Sequence, residues 1–424
     1  MQLDVYGDTL CAVTGAAVLA STGNEVTLHP GDGTVRRELE QGACPFREPG
    51  LGELLAEQFD SARLVLGTPD QAPGSGCDAV LLALAPDALE QARAIVSRLA
   101  AQGGRTWLVI NQSTFPVGTS EQLQQQLDGA GVVASLPDLL REGAAVEGFA
   151  RPGHWLLGCD DEDAELRVRE LLRPFNRRRD NILVMSPRAA EFTKLAINGM
   201  LATRLGFMND MASLAERLQV DIEDVRQGIG ADPRIGEAYL YPGCGFGGLN
   251  FSRDVMSLAD TLADRGASTE LLEQVLAINE RQKEVLFRKF WRHYDTNVAG
   301  RRVTLWGAAF KPGAARVDNA PSLRLIDALL AQGVQVQVHD PRALPALRAH
   351  YGMVEGLSLH EDPWEALKDA DALMLVTEWK TYWSPDFDRM RELMRQPLIL
   401  DGRNVYDPGF VRRCGLIYYG VGRT

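Results

Sequence analysis

The stretch Tyr241 to Asp254, YPGCGFGGLNFSRD, sets Gly243, Gly245, Gly247 and Gly248 around a single aromatic, Phe246, and follows them with Asn250, Arg253 and Asp254. Backbone of that composition can take positive φ and turn its N–H groups toward a sugar or phosphate with no Cβ in the way. The run behind it (Val255, Met256, Leu258, Ala259, Leu262) has helical spacing. The segment therefore reads as a ligand loop docked on a helix start, and the competing reading is a flexible turn between helices. Three further groups carry chemistry. Ser113 and Thr114 fall at the carboxyl end of a strand, where open α/β sheets bind ligands. Asp138, Arg141 and Glu142 share one loop, Glu142 being either a general base or a solvated carboxylate. Lys194 and Asn198 lie four apart, on one face of one helix, and the lysine is a surface charge unless that face meets the glycine loop.

The elements that must position these groups follow an α/β pattern at both ends. Gln2 to Gly7 alternates into a glycine, Thr9 to Thr22 is a small-residue helix, and Glu25 to His29 is a second strand, the outline of a βαβ nucleotide unit. Its fingerprint is altered. The turn offers Gly7, Thr9 and Ala12 where three glycines or a final alanine are wanted, and the second strand runs into His29-Pro30 where an acid should stand. A βαβ unit kept for structure is the reading this turn favours. Further strands are predicted at Ala79 to Leu84, Trp107 to Asn111 and Val132 to Leu136. From Pro187 the texture turns helical, with long helices predicted over Ala189 to Leu218 and Thr269 to Tyr294, the latter a connector or dimer seam. Strands return at Arg302 to Gly307, Val334 to His339, Ala372 to Val376 and Leu398 to Leu400, with a helix from Ser322 to Gln332. Phe310, Lys311 and Arg403 stand at strand ends there, in two lobes that would frame a cleft.

At 424 residues the chain exceeds a single core. A net charge of −13 excludes nucleic acid and anionic membranes as partners, and no run of apolar residues is long enough to span a membrane, so a cytoplasmic protein is expected. The six cysteines and six histidines are scattered without ligand spacing, which predicts free thiols and no metal.

Several strings, in this order, resemble the UDP-glucose/GDP-mannose dehydrogenase family over essentially the whole chain: EPGL (Glu48 to Leu51), STFPVGT (Ser113 to Thr119), PDLLREG (Pro137 to Gly143), KLAIN (Lys194 to Asn198), RIG (Arg234 to Gly236), GFGG (Gly245 to Gly248), GAAFKP (Gly307 to Pro312), TEW (Thr377 to Trp379) and DGR (Asp401 to Arg403). The resemblance implies two Rossmann-like parallel-sheet domains joined by a central helical domain with a long connecting helix: residues 1–186 of NAD type, 187–298 helical and dimerising, 299–424 for the UDP-sugar. It implies a homodimer or larger homo-oligomer, a UDP-sugar ligand with UDP-glucose foremost, and a role in polysaccharide biosynthesis. The implied reaction is two NAD-dependent hydride removals at C6 of a UDP-hexose, with the aldehyde trapped on a cysteine, oxidised to a thioester and hydrolysed.

At that cysteine's position this chain has Asn250, and an amide cannot form the thioester. The resemblance gives Asp254 and Lys194 water activation and oxyanion stabilisation, with Asn198 beside them, Thr114 near the reacting carbon and Glu142 in proton transfer. Leu139, Arg234 (reaching a neighbouring subunit), Phe246, Gly247, Gly248, Phe310, Lys311 and Arg403 fall on nucleotide-sugar positions. Gly7, Thr9, Ala12, Pro86 and Asp318 fall on NAD positions, several of them altered: Ala85 precedes Pro86 in place of a threonine, and Asp318 replaces an arginine, turning attraction into repulsion unless Arg316 compensates. The expectation is a UDP-sugar-binding relative whose full oxidation is lost or impaired, a pseudoenzyme. The alternatives are an active dehydrogenase using another nucleophile such as Cys244, or a hydrate route, and a regulatory partner of an active paralogue.

Overall fold

The computed structural model describes residues 1–31, 33–177 and 180–423. The chain divides into two compact units, Met1–Ala196 and Ile197–Thr424, the division falling inside the long helix Pro187–Leu218.

The first unit is built on eight strands: β1 (Gln2–Tyr6), β2 (Glu25–His29), β3 (Leu64–Leu66), β4 (Ala79–Leu82), β5 (Trp107–Asn111), β6 (Gly131–Ser135), β7 (Trp155–Gly158) and β8 (Ile182–Met185). Their order is β3-β2-β1-β4-β5-β6-β7-β8, parallel throughout except between β6 and β7. Every residue of β4 and β5 is buried, as expected of central parallel strands covered on both faces. β4 stops at Leu82, short of the predicted Leu84, because the Leu84 N–H is taken by the Ser113 hydroxyl oxygen and not by a neighbouring strand. The helix Leu10–Ser21 buries ten of its residues; small side chains let it lie flat on the sheet.

The second unit carries β9 (Arg302–Trp306), β10 (Gln335–His339), β11 (Leu357–His360), β12 (Ala372–Leu375), β13 (Leu398–Asp401) and β14 (Ile417–Tyr419), all parallel in the order β11-β10-β9-β12-β13-β14. The strand order on either side of β9 reverses in the doubly wound manner, which opens a crevice at the carboxyl ends of β9 and β12. The helices Ile222–Ala231, Leu249–Asp264, Glu270–Gln282 and Val285–His293 belong to the same unit. The chain end ties them to the sheet. The Gly422 carbonyl accepts from Ile222 N at 2.9 Å, and Arg423 pairs with Asp221 at 3.0 Å.

The long helix predicted over Thr269 to Tyr294 is two helices, Glu270–Gln282 and Val285–His293, broken at Lys283 and Glu284. At the break the Lys283 side chain turns inward and is 1% exposed, its ammonium donating to Asn319. That tertiary contact competes with continuing the helix. Among the described residues no helix is long and apolar enough to cross a membrane, and no cluster of three or more metal-ligating side chains is present.

Candidate functional site

In the second unit four loops meet at the strand ends: the glycine loop, the segment after β9, Thr377–Trp379 after β12 and Gly402–Arg403 after β13. The glycine loop is held from below by the helix Glu270–Gln282. Asn279 grips Phe246 on both sides, its Oδ1 accepting from Phe246 N at 2.8 Å and its Nδ2 donating to Phe246 O at 3.0 Å. Gln282 Nε2 donates to Gly243 O at 2.7 Å, and Asn209 Oδ1 accepts from Gly243 N at 2.9 Å. The glycines are required by protein neighbours as well as by any ligand. A Cβ on Gly247 would stand 2.6 Å from Asn319 O, and one on Gly248, whose φ is +90°, would stand 2.8 Å from the Phe310 ring. Cys244 N donates to Gly402 O, which docks the loop on the Asp401–Arg403 turn.

The segment after β9 is fixed by Asp340, at the end of β10. Its Oδ2 accepts from Ala308 N at 2.7 Å, Ala309 N at 2.9 Å and Trp379 Nε1 at 3.0 Å. Its Oδ1 takes Arg342 N and Ala343 N. Five donors on one buried carboxylate make the turn that presents Phe310 and Lys311 rigid, and the Lys311 ammonium lies 5.5 Å from the Phe310 ring centre. Arg403 Nε donates to Val376 O at 2.7 Å and faces Glu378 at 3.3 Å. Asp401 accepts from Arg403 N and Tyr406 N, and its wholly buried carboxyl is pushed above the usual carboxylate range by desolvation.

Asn250, Arg253 and Asp254, expected in the loop, are in the first two turns of the helix Leu249–Asp264, which starts directly after Gly248. Asn250 is exposed and its Oδ1 accepts from Arg253 Nη2 at 3.0 Å. Asp254 is buried and accepts from Asn198 Nδ2 at 2.7 Å. Cys244 does not supply a nucleophile here: it is 0% exposed, its Sγ faces Val376 O at 3.7 Å, and burial raises the pKa of its thiol. Arg234 is exposed and paired with Asp232 at 2.6 Å. Asp318 is paired with Arg316 at 2.7 Å.

In the first unit Lys194 is buried, not a surface charge, and its ammonium donates to the Thr114 hydroxyl. Glu191, one turn earlier, accepts from Gly118 N at 2.6 Å and from Ser120 N at 2.8 Å, so the start of the long helix is anchored on the loop that carries Thr114. Glu142 is half-buried; its neighbour Gly143 donates its N–H to Glu48, which also takes Ala145 N. Asp138 Oδ1 accepts from Leu140 N, closing a turn around Leu139, and Asp138, Leu139 and Cys11 line a narrow cleft. Burial, and the Asp138 carboxylate after it, push the Cys11 thiol well up.

The turn after β1 keeps the shape of a dinucleotide site. Gly7 has φ +143° and a Cβ there would meet Ala83 O at 2.2 Å. Thr9 does not point into the turn: it caps the helix Leu10–Ser21, its Oγ1 accepting from Ala12 N at 3.1 Å and donating to Ala83 O at 2.7 Å. Pro86 sits in a turn closed by Ala88 N to Ala85 O at 2.9 Å. Gly7 and the capped start of the helix Leu10–Ser21 are the parts of this turn that suit a dinucleotide pyrophosphate. The ribose end differs: beyond β2 stands Pro30, and His29 is 0% exposed, stacked on Tyr6 and bonded to Asp4 at 2.6 Å and Thr68 O at 2.8 Å.

The residues that position the loops, Asn209, Asn279, Gln282, Asn319 and Asp340, escape a motif search. The signal for Asn279 and Gln282 is a pair of polar residues three apart on a helix face that otherwise buries Leu272 and Val275. For Asp340 it is an acid closing the second strand of a βαβ unit.

Two doubly wound lobes and a glycine loop bearing on the carboxyl ends of the second sheet define a nucleotide-binding oxidoreductase scaffold. Residues 1–176 match the NAD binding domain, 188–281 the central domain and 304–408 the UDP binding domain of one family. The chain belongs to the UDP-glucose/GDP-mannose dehydrogenase family. It is 40% identical to a UDP-glucose 6-dehydrogenase of Pseudomonas aeruginosa, over 100% of this chain and 98% of that one. It is 30% identical to a UDP-glucose 6-dehydrogenase of Rhizobium meliloti, over the full length of both. The solved UDP-glucose dehydrogenase of Pyrobaculum islandicum superimposes with a TM-score of 0.89 at 30% identity, covering 100% of this chain and 98% of that one.

Proposed function

We propose that this protein binds a UDP-hexose through its second unit, UDP-glucose foremost, and that its four-electron oxidation at C6 is lost or impaired. The observation that carries this reading is the contrast within one segment. The glycine loop and its supports are fully built, while the first turn of the following helix exposes the Asn250 amide and the loop's own thiol, Cys244, is sealed in the core. An amide nitrogen shares its lone pair with its carbonyl, so it cannot add to the C6 aldehyde and hold it for a second hydride removal.

Phe246, Gly247, Gly248, Phe310, Lys311 and Arg403 are assigned to the nucleotide sugar, and Arg234 to a neighbouring subunit's sugar. The three functional segments are 1–186, 187–298 and 299–424. Exposed Met200, Phe207, Leu214 and Leu218 along the long helix support a homodimer through it. Gly7, Thr9, Ala12 and Pro86 would hold NAD, which supplies the hydride acceptor when bound. The missing acid after β2 supports weakened affinity for it.

A second reading, a working dehydrogenase that oxidises an aldehyde hydrate, is favoured by two intact pairs: Lys194 with Thr114 and Asn198 with Asp254. The deciding experiment is NADH formed per UDP-glucose consumed, run beside Asn250→Cys. The proposal expects none from the unaltered protein, or about one if only the first hydride removal survives. Two per sugar from the unaltered protein would overturn it in favour of the hydrate route.

A further inference from the structure

Lys283 is a buried cation with no assigned role. It stands at the break between the helices Glu270–Gln282 and Val285–His293, 1% exposed. Its Cγ would lie 3.0 Å from a Cβ on Gly245, so its stem forms the floor of the glycine loop. Its Nζ donates to Asn319 Oδ1 at 2.5 Å and to Glu280 Oε1 at 2.7 Å. Asn319 passes the contact on in two directions. Its Nδ2 donates to Ser252 Oγ at 2.8 Å, in the first turn of the helix that carries Asn250, and its carbonyl oxygen occupies the space that a Cβ on Gly247 would need. Asn319 itself has φ +50°, a left-handed conformation that asparagine tolerates and that a bond to its side chain helps to hold. One residue earlier, the Asp318 carbonyl accepts from Gly248 N at 2.9 Å.

We propose that Lys283 is a positioning residue for the nucleotide-sugar site: acting through Asn319, its ammonium holds the glycine loop, the segment after β9 and the first turn of the Asn250 helix in one binding arrangement. This rests on the UDP-sugar reading above and deepens it. The logic is charge-assisted geometry. A neutral side chain of the same length would fill much the same volume without the charge. It would leave the Asn319 amide without the partner that orients it toward Ser252.

The test uses the full chain, with UDP-glucose as the probe in calorimetry and amide hydrogen exchange measured without ligand. Lys283→Met is expected to weaken UDP-glucose binding roughly tenfold or more, the effect of losing a charged hydrogen bond. It should also speed exchange over residues 244–252 while the sheet strands stay protected. Asn319→Ala should do the same, and the double variant should bind no worse than the weaker single one. Glu280→Gln keeps the bond to Asn319 and should bind within about twofold of the unaltered protein. A purely structural role for Lys283 would lower thermal stability but leave the affinity of the folded protein within twofold, and that result overturns the proposal. If the unaltered protein does not bind UDP-glucose, the sugar reading fails. Exchange over 244–252 then decides alone: unchanged protection in Lys283→Met overturns the positioning role.

Discussion

Replacing Gly248 by alanine separates two costs that the structure puts on one atom. The backbone there has φ +90° and ψ 136°, a region open to glycine and strained for other residues by about 1–3 kcal/mol. The added Cβ would also stand 2.8 Å from Cε2 and 2.9 Å from Cδ2 of Phe310. The ring is part of the packed second unit, so this overpacking costs a further ~1–3 kcal/mol. Gly248→Ala should therefore destabilise the second unit by about 2–6 kcal/mol, the sum of the two. Phe310→Leu removes the ring edge, so in a double-mutant cycle the coupling should recover the overpacking part, ~1–3 kcal/mol, while the backbone strain remains. The assay is urea unfolding followed by tryptophan fluorescence, which reports mainly on this unit because Trp291, Trp306, Trp364, Trp379 and Trp383 lie in it, against Trp107 and Trp155 in the other. A loss below about 0.5 kcal/mol for Gly248→Ala, or no coupling to Phe310→Leu, would refute the close approach of loop and ring.

Asn279→Ala leaves both the N–H and the C=O of Phe246 without their side-chain partner and should cost roughly 1–3 kcal/mol for each group that water cannot reach, read in the same unfolding experiment. Asn279→Asp keeps the acceptor and should fall between. Glu191 gives a pH dependence. Burial raises its pKa against the bonds from Ser120 and Gly118, so the folded state holds its proton more tightly than the unfolded chain. The stability this contributes is fully present below the ordinary glutamate pKa of about 4.3 and is lost as pH rises through the raised folded value. Glu191→Gln cannot titrate, so the stability of the unaltered protein relative to this variant should fall across that window; a difference independent of pH would contradict the assignment.

Burial explains only part of what the sequence makes legible: β7 is buried along its whole length, yet its four residues, WLLG, are too few to mark it. β4 is apolar along its whole length and β5 up to its closing Asn111, because both faces are covered, and those runs mark them in the sequence. β3 is a run of three apolar residues, too short to mark a strand, and β11 alternates with a serine and a histidine and is nowhere fully buried. The break at Lys283 was illegible for a different reason: Gln-Lys-Glu is good helix sequence, and what interrupts it is a contact with Asn319, far along the chain. The glycine loop was visible as a loop and its glycines as necessary. Which atoms fill the spaces left by their missing Cβ groups, the Phe310 ring and the Asn319 carbonyl, is a tertiary fact. Thr9 shows the same limit. Read as an obstacle at the turn, its side chain folds back to cap its own helix.

Position 250 is where fold and chemistry come apart. Asn250 is exposed and its Oδ1 accepts from Arg253 on the same helix, so the identity of its side chain bears little on how the second unit packs. Asn279, Asp340 and Asp401 are different: each is buried and accepts from at least one backbone N–H, and losing any of them would strand that group in the interior. Selection for a stable, ligand-binding unit therefore constrains those three strongly and constrains residue 250 hardly at all. The buried supports therefore belong to the scaffold and residue 250 to its surface, whatever chemistry is done there. It follows that Asn250→Cys should leave stability and UDP-glucose affinity within about 0.5 kcal/mol of the unaltered protein whatever it does to turnover, because it adds a thiol to a scaffold that already stands.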